Sequence, residues 1–92
     1  MVEIYTTRFC PYCVAAKRLL SHRGIAFTEI DVSYDPKLRD DMVARANGCM
    51  TVPQIFIGTT HVGGYDDLYA LDQAGGLDAL LAARSAAEDR PA

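Results

Sequence analysis

The sequence predicts one α/β domain, built on a mixed sheet of four strands with helices on both of its faces. Three observations support this prediction: short runs of alternating apolar residues, stretches of helical spacing between those runs, and a hairpin pattern in the second half of the chain. The predicted order of elements is β-α-β-α-β-β-α, followed by one more helix. Its first β-α-β unit should form a right-handed parallel crossover.

The first half of the chain gives a strand, a helix and a second strand. Apolar and polar residues alternate in the run VEIYT, residues 2–6, which predicts the first strand. Pro11 suits the first turn of a helix, because its missing N–H would have no partner there. The helical pattern continues through residues 12–23 and stops at Gly24. Residues 25–32, IAFTEIDV, then predict the second strand.

A second helix and a hairpin follow. Asp35 is a common N-cap residue, and Pro36 suits the first helical position after it. Asn47–Gly48 ends this helix. The runs VPQIFIG and HVGG predict the two strands of a hairpin around a turn at residues 58–60. The hairpin should therefore add two antiparallel strands to the sheet.

The end of the chain is predicted to be helical. Asp66 has the residue type of an N-cap for a third helix, and Gly75–Gly76 separates that helix from the last one. We expect the folded domain to cover residues 1–84. The remaining residues 85–92, SAAEDRPA, should form a frayed tail.

Composition and charge argue against several classes of partner. The 92 residues carry a net charge of -3 with no basic block, so a nucleic-acid partner is not expected. No apolar run approaches the ~20 residues that a membrane span requires. The N-terminus lacks the basic start and long apolar core of a secretory signal. We therefore expect a cytoplasmic protein that has no membrane partner. We also expect it to act as a monomer.

Two of the three cysteines lie close together where the first strand passes into the first helix. Cys10 falls at the helix N-terminus, where free backbone N–H groups and the helix dipole stabilise a thiolate. Cys13 lies one turn further along, on the same face, and could resolve a mixed disulfide formed by Cys10. Pro11 should hold the two sulfurs near each other, and Tyr12 should form an aromatic wall beside them. This arrangement predicts a reactive dithiol.

Two other interpretations of the pair are weaker. A structural zinc site needs two more ligands, and the remaining candidates, Cys49, His22 and His61, are scattered over different elements. A purely structural disulfide would close a loop so short that it hardly constrains the unfolded chain. His22 and His61 are expected to be surface residues without a catalytic role. Cys49 is either a buried apolar residue at a helix end or an exposed thiol near the site.

The run MTVPQ, residues 50–54, marks a second place where chemistry is expected. Pro53 either begins an edge strand or follows a cis peptide bond in a bend. Such a bend would lie opposite the cysteine pair, and Val52 would present its backbone N–H and C=O as a strand-like edge. An extended peptide that carries a cysteine could pair with this edge. A plain turn before a buried strand is the alternative.

The motifs CPYC, TVPQIFI and GGYDDL, in this order, resemble those of glutaredoxins, specifically the small dithiol kind found in bacteria. The resemblance extends from Val2 to about Leu81. It implies a thioredoxin fold and a glutathione-dependent thiol–disulfide oxidoreductase that reduces protein disulfides and protein–glutathione mixed disulfides. Glutathione would be the reductant, and no tightly bound cofactor would be required. The partners would be glutathione and disulfide-bonded or glutathionylated proteins.

The resemblance also implies roles for individual residues. Cys10 would be the nucleophile and Cys13 the resolving thiol, so that the two form the redox-active disulfide. Many glutaredoxins carry a lysine where this chain has Thr7, and Arg8 beside it would take over the contact with glutathione. The other implied glutathione-binding residues are Tyr12, Thr51, Val52, Pro53, Tyr65, Asp66 and Asp67.

Two rival functions share the cysteine pair. One is a redoxin that receives electrons from a thioredoxin reductase, against which the GGYDD motif argues, because such a protein needs no γ-glutamyl site. The other is a dimer that binds an iron–sulfur cluster through Cys10 and two glutathione molecules. Pro11 argues against the cluster, because cluster-binding relatives usually have a more flexible residue there.

Overall fold

The computed structural model describes residues 2–88, with the side chains of residues 2–82. The elements follow the predicted order. They are β1 (Val2–Thr6), α1 (Pro11–His22), β2 (Thr28–Asp31), α2 (Pro36–Arg45), β3 (Gln54–Ile57), β4 (Thr60–Gly63), α3 (Tyr65–Gln73) and α4 (Gly76–Glu88).

The four strands form one mixed sheet in the order β2-β1-β3-β4. β1 and β2 are parallel and are joined by the crossover helix α1, whereas β1 with β3 and β3 with β4 are antiparallel. The central strands β1 and β3 place Ile4 opposite Ile55. This topology confirms the predicted parallel unit and the closing hairpin.

Helices cover both faces of the sheet, because the strands present apolar side chains on both sides. Ile4, Ile55 and Ile57 face one core, which α1, α3 and α4 complete with Ala16, Leu20, Leu68 and Leu77. Tyr5 and Phe56 point the opposite way, into a second core that α2 closes with Met42 and Ala46. The central strands β1 and β3 thus lie between two packed cores. This packing fixes the strand ends from which the cysteine pair and the bend before β3 extend.

Three predicted boundaries are wrong by a few residues. β2 begins at Thr28 rather than at residue 25, because the Ile25 N–H donates to the Leu20 carbonyl at 2.9 Å and closes the end of α1. β4 begins at Thr60, which pairs with Ile57, so the predicted turn at residues 58–60 is one residue too long.

The third correction concerns the start of α3, where the N-cap is Gly64 rather than Asp66. Asp66 lies inside the first turn, and the carboxylate of Asp67 accepts the Gly64 N–H at 3.1 Å. The end of α4 lies at Glu88, past the predicted domain end at residue 84. Residues 89–92 lie outside the described residues, so the frayed tail stays a prediction. Within residues 2–88, no helix is both long and apolar enough to cross a membrane.

Candidate active site

Cys10 is the N-cap residue of α1, at the point where the chain leaves β1. Its sulfur accepts the backbone N–H of Cys13 at 3.2 Å, and Pro11 occupies the first helical position. The side chain is half-buried, so a substrate can reach it. A sulfur in this position lies at the positive end of the helix dipole and accepts a backbone N–H of the first turn.

Cys13 is less accessible than Cys10, and its surroundings perturb its pKa. It is 2% exposed, within the first turn of α1. Burial, together with the hydrogen bond to Cys10 and the charge of Cys10, raises the pKa of Cys13 to about 12. Cys13 is therefore a protonated thiol at neutral pH, while Cys10 is the sulfur that faces solvent.

The bend before β3 lies against the cysteine pair. The peptide bond between Val52 and Pro53 is cis, which selects one of the two alternatives that the sequence left open. The Cys10 sulfur lies 3.8 Å from the Val52 carbonyl oxygen, within hydrogen-bond distance when the thiol is protonated, so the bend and the helix N-terminus are in contact. Pro53 is buried, and Thr51 and Val52 reach the surface.

The carbonyls of this bend are held by side chains. Arg39 Nη2 donates to the Met50 carbonyl at 3.1 Å, and Gln54 Nε2 donates to the Thr51 carbonyl at 3.0 Å. The contact of Cys10 with Val52 completes a series of three consecutive carbonyls. Over residues 2–88 no protein acceptor is found for the Thr51 or Val52 N–H, so both donors stay available at the edge.

A groove of ≈ 290 Å³ opens between this bend, Tyr12 and the beginning of α3. Its volume is near the lower end of the range for small-molecule sites. The lining residues are Tyr12, Cys49, Thr51, Val52, Pro53, Gln54, His61, Gly63, Gly64, Tyr65, Asp66 and Asp67. The groove thus brings together all the predicted glutathione-binding residues except Arg8.

Arg8 does not line the groove. Its guanidinium lies over the ring of Tyr34, 5.1 Å from the ring centroid, and its backbone N–H donates to Ser33 Oγ at 2.8 Å. Cys49, in contrast, is exposed and lines the groove, so the alternative of a buried apolar cysteine is wrong.

The α3 end of the groove combines aromatic rings with two carboxylates. Tyr12 and Tyr65 lie with their ring centroids 6.3 Å apart and form one wall. Asp66 and Asp67 lie in the first turn of α3, where free backbone N–H groups point out of the helix. One carboxylate oxygen of Asp67 already accepts the Gly64 N–H, and this end of the groove therefore offers both donors and negative charge.

Two groove residues, Gln54 and His61, were not expected to take part in the site. Gln54 is 3% exposed, and its Oε1 lies 2.6 Å from Nε2 of His61. The signal for Gln54 was its polarity within an otherwise apolar strand, because a buried amide requires partners. His61 gave no such signal.

The half-exposed sulfur at a helix N-terminus, the buried second thiol and the facing cis-proline bend define a thiol–disulfide oxidoreductase with the thioredoxin fold. Residues 2–62 match the family model for glutaredoxin. The chain is 58% identical over 82 residues to a glutaredoxin of Pseudomonas aeruginosa, covering 89% of this chain and 96% of that protein. With Glutaredoxin 3 of Escherichia coli it is 55% identical over 80 residues, covering 87% and 95%.

Solved structures agree with these sequence matches. The solution structure of a glutaredoxin from Brucella melitensis superposes with a TM-score of 0.76 at 57% identity, covering 87% of this chain and 86% of that one. A buckwheat glutaredoxin–glutathione complex, 24% identical, shares the fold with a TM-score of 0.81, covering 91% and 78%. The chain belongs to the glutaredoxin family, whose members are glutathione-dependent thiol–disulfide oxidoreductases.

Proposed function

We propose that this glutaredoxin reduces protein–glutathione mixed disulfides through Cys10 alone and protein disulfides through Cys10 and Cys13 together. The observation that carries the proposal is the asymmetry of the two sulfurs. Cys10 is half-exposed and caps α1, whereas Cys13 is buried and keeps its proton at neutral pH. Only Cys10 can therefore begin an attack on an external disulfide.

With a mixed disulfide, the Cys10 thiolate attacks the glutathione sulfur. A Cys10–glutathione bond forms, the bond to the substrate protein breaks, and the departing thiolate takes a proton from solvent. The thiolate of a second glutathione then attacks the glutathione sulfur held by Cys10. Glutathione disulfide leaves, and Cys10 returns to its thiolate, so that one free glutathione is consumed for each mixed disulfide reduced.

With a protein disulfide, Cys13 completes the reaction. Cys10 forms a mixed disulfide with one substrate sulfur and releases the other. The charge of Cys10 and its hydrogen bond, which both raise the pKa of Cys13, are then lost. Cys13 gives up its proton to solvent and attacks Cys10, which releases the second substrate thiolate and leaves a Cys10–Cys13 disulfide. Two glutathione molecules reduce this disulfide and leave as glutathione disulfide.

The groove would bind glutathione in an extended conformation. The backbone of Val52 would pair with its cysteine residue, as in the addition of a short strand, next to Thr51 and Pro53. The γ-glutamyl carboxylate would accept backbone N–H groups at the beginning of α3, and the ammonium would lie beside Asp66 or Asp67. Arg8 is left out of this binding mode, because its guanidinium is directed at Tyr34.

The test is the reduction of a glutathionylated peptide, with electrons supplied either by glutathione and glutathione reductase or by thioredoxin reductase. Wild type should turn over only with glutathione. Cys10→Ser should be inactive toward mixed disulfides and protein disulfides, while Cys13→Ser should retain activity toward the mixed disulfide. Cys49→Ser removes the one thiol outside the pair, which lines the groove, and measures its effect on the exchange separately. An inactive Cys13→Ser with the glutathionylated peptide would contradict the proposed roles.

The physiological context belongs to the same proposal. Its substrates would be disulfide-bonded or glutathionylated proteins of the cytoplasm, and the protein would act as a monomer. Light scattering of the reduced protein, with and without glutathione, measures the oligomeric state. A dimer that forms only with glutathione and iron would favour the cluster-binding alternative.

A further inference from the structure

The orientation of the Gln54 amide follows from its contacts. Its Nε2 lies 3.0 Å from the Thr51 carbonyl oxygen and 3.3 Å from Thr51 Oγ1. A carbonyl oxygen can only accept, so the nitrogen of the amide must face Thr51. The Oε1 atom must then face His61, at 2.6 Å.

The protonation of His61 follows in turn. Because Gln54 Oε1 can only accept, His61 Nε2 must carry the hydrogen that lies between them. The ring of His61 is itself fixed, because it stacks on Phe56 with the ring centroids 4.9 Å apart and an angle of 23° between the planes. A continuous series of contacts therefore runs from the buried Phe56 through His61 and Gln54 to Thr51.

These contacts end at Thr51, which lines the groove but is not paired with a strand of the sheet. Thr51 lies outside β3, and over residues 2–88 the amide of Gln54 is the group that hydrogen-bonds to its carbonyl. A freed Thr51 carbonyl could turn toward solvent, because the residue is exposed. The adjacent Val52 N–H would then turn with it, since the two atoms belong to the same peptide plane.

We propose that His61 and Gln54 are positioning residues for glutathione capture. Gln54 fixes the Thr51–Val52 peptide plane, and His61 fixes the amide of Gln54. This inference rests on the proposed function, in which the Val52 backbone pairs with the cysteine of glutathione. Neither residue takes part in bond making, so the two should affect binding of glutathione and leave the reactivity of Cys10 unchanged.

Two substitutions of His61 separate the hydrogen bond from the packing. His61→Phe retains a ring against Phe56 but removes the donor to Gln54. His61→Gln loses the ring but can place an N–H donor where Nε2 lies. We expect His61→Phe to raise the KM for a glutathionylated peptide about fivefold, the effect of losing one hydrogen bond. His61→Gln should remain within about twofold of wild type, with kcat unchanged in both variants.

Three measurements complete the test. The dissociation constant of S-methylglutathione should change with KM, the alkylation rate of Cys10 by iodoacetamide should stay constant, and urea unfolding should verify that each variant is folded. Gln54→Glu, which turns a carboxylate oxygen toward the Thr51 carbonyl, should raise KM about tenfold or more if it folds. If it does not fold, the pair of His61 variants carries the test alone.

The possible results discriminate between explanations. Equal KM values for the two His61 variants, or a higher KM for His61→Gln than for His61→Phe, would overturn the inference, because the donor would then not matter. A slower alkylation of Cys10 at constant KM would also overturn it. If wild type neither saturates with the glutathionylated peptide nor binds S-methylglutathione, the proposed function itself fails and this inference with it.

Discussion

Raising the pH should destabilise the reduced protein through a single buried thiol, Cys13. The unfolded chain releases the Cys13 proton with an ordinary pKa of 9.0, whereas the folded chain holds it up to about 12. Because the pKa is higher in the folded state, this contribution to stability is complete below pH 9. It is lost progressively as the pH rises toward 12, since alkali then favours the unfolded chain.

The size of the effect follows from the two pKa values. The difference between a pKa of 9.0 in the unfolded chain and about 12 in the folded chain corresponds to about 4 kcal/mol in the free energy of unfolding, reached above pH 12. At pH 10 the unfolded chain is mostly ionised at Cys13 and the folded chain is not. Wild type should by then have lost about 1.4 kcal/mol through this residue. That loss lies within the range in which unfolding curves can be compared reliably.

The assay is urea unfolding of wild type and Cys13→Ser at pH 7 and pH 10, with a phosphine reductant to keep the thiols reduced. Titrating groups other than the two coupled cysteines contribute equally to both proteins, so the difference between their pH-dependent losses isolates the Cys10–Cys13 pair. Cys49→Ser is the matched control, because it removes an exposed thiol and should lose as much stability as wild type. If wild type and Cys13→Ser lost the same free energy of unfolding between pH 7 and pH 10, the raised pKa of buried Cys13 would be refuted.

Two further predictions concern carboxylates. Asp67→Asn keeps an oxygen that can accept the Gly64 N–H but removes a charge that, in the proposed binding mode, would lie near the γ-glutamyl ammonium. It should raise the KM for a glutathionylated peptide about fivefold at constant kcat, measured with the glutathione reductase assay. Hydrogen bonds from Lys17 and Thr6 hold the pKa of Glu29 below its usual value, so its stabilisation is present above pH 4.5 and lost as the pH falls through the folded pKa. Glu29→Gln should lose less stability than wild type between pH 6 and pH 3 in urea unfolding.

The predictable parts of the structure depend on local signals. Pro11, Asp35 and the Asn47–Gly48 pair mark helix ends through their own backbone preferences, and the structure confirms the helices that they delimit. Boundaries that depend on a partner elsewhere were misplaced. Ile25 is a residue type that favours strands, but its N–H donates to the Leu20 carbonyl and closes the end of α1. The residue type alone does not reveal this hydrogen bond.

The sequence did not predict the contact of His61 with Gln54, because the predicted register of the hairpin is wrong by one residue. A turn over residues 58–60 would have paired His61 with Ile57, on the face of the sheet opposite to Gln54. The observed pairing of Thr60 with Ile57 places His61 opposite Phe56, on the same face as Gln54. Because side chains alternate along a strand, a shift of one residue moves His61 to the other face.

Because Arg8 does not line the groove, the proposed binding of glutathione there would lack a cationic partner. No lysine or arginine lines the groove in the described part of the chain, and Asp66 and Asp67 add negative charge to it. A bound glutathione would therefore depend on backbone groups rather than on a flexible cation, with Val52 paired to its cysteine and the beginning of α3 holding its γ-glutamyl carboxylate. A cation on a flexible side chain can follow a misplaced ligand, but a backbone donor cannot. A groove of this kind needs its peptide planes fixed in advance, and Gln54 and His61 provide that fixation at Thr51.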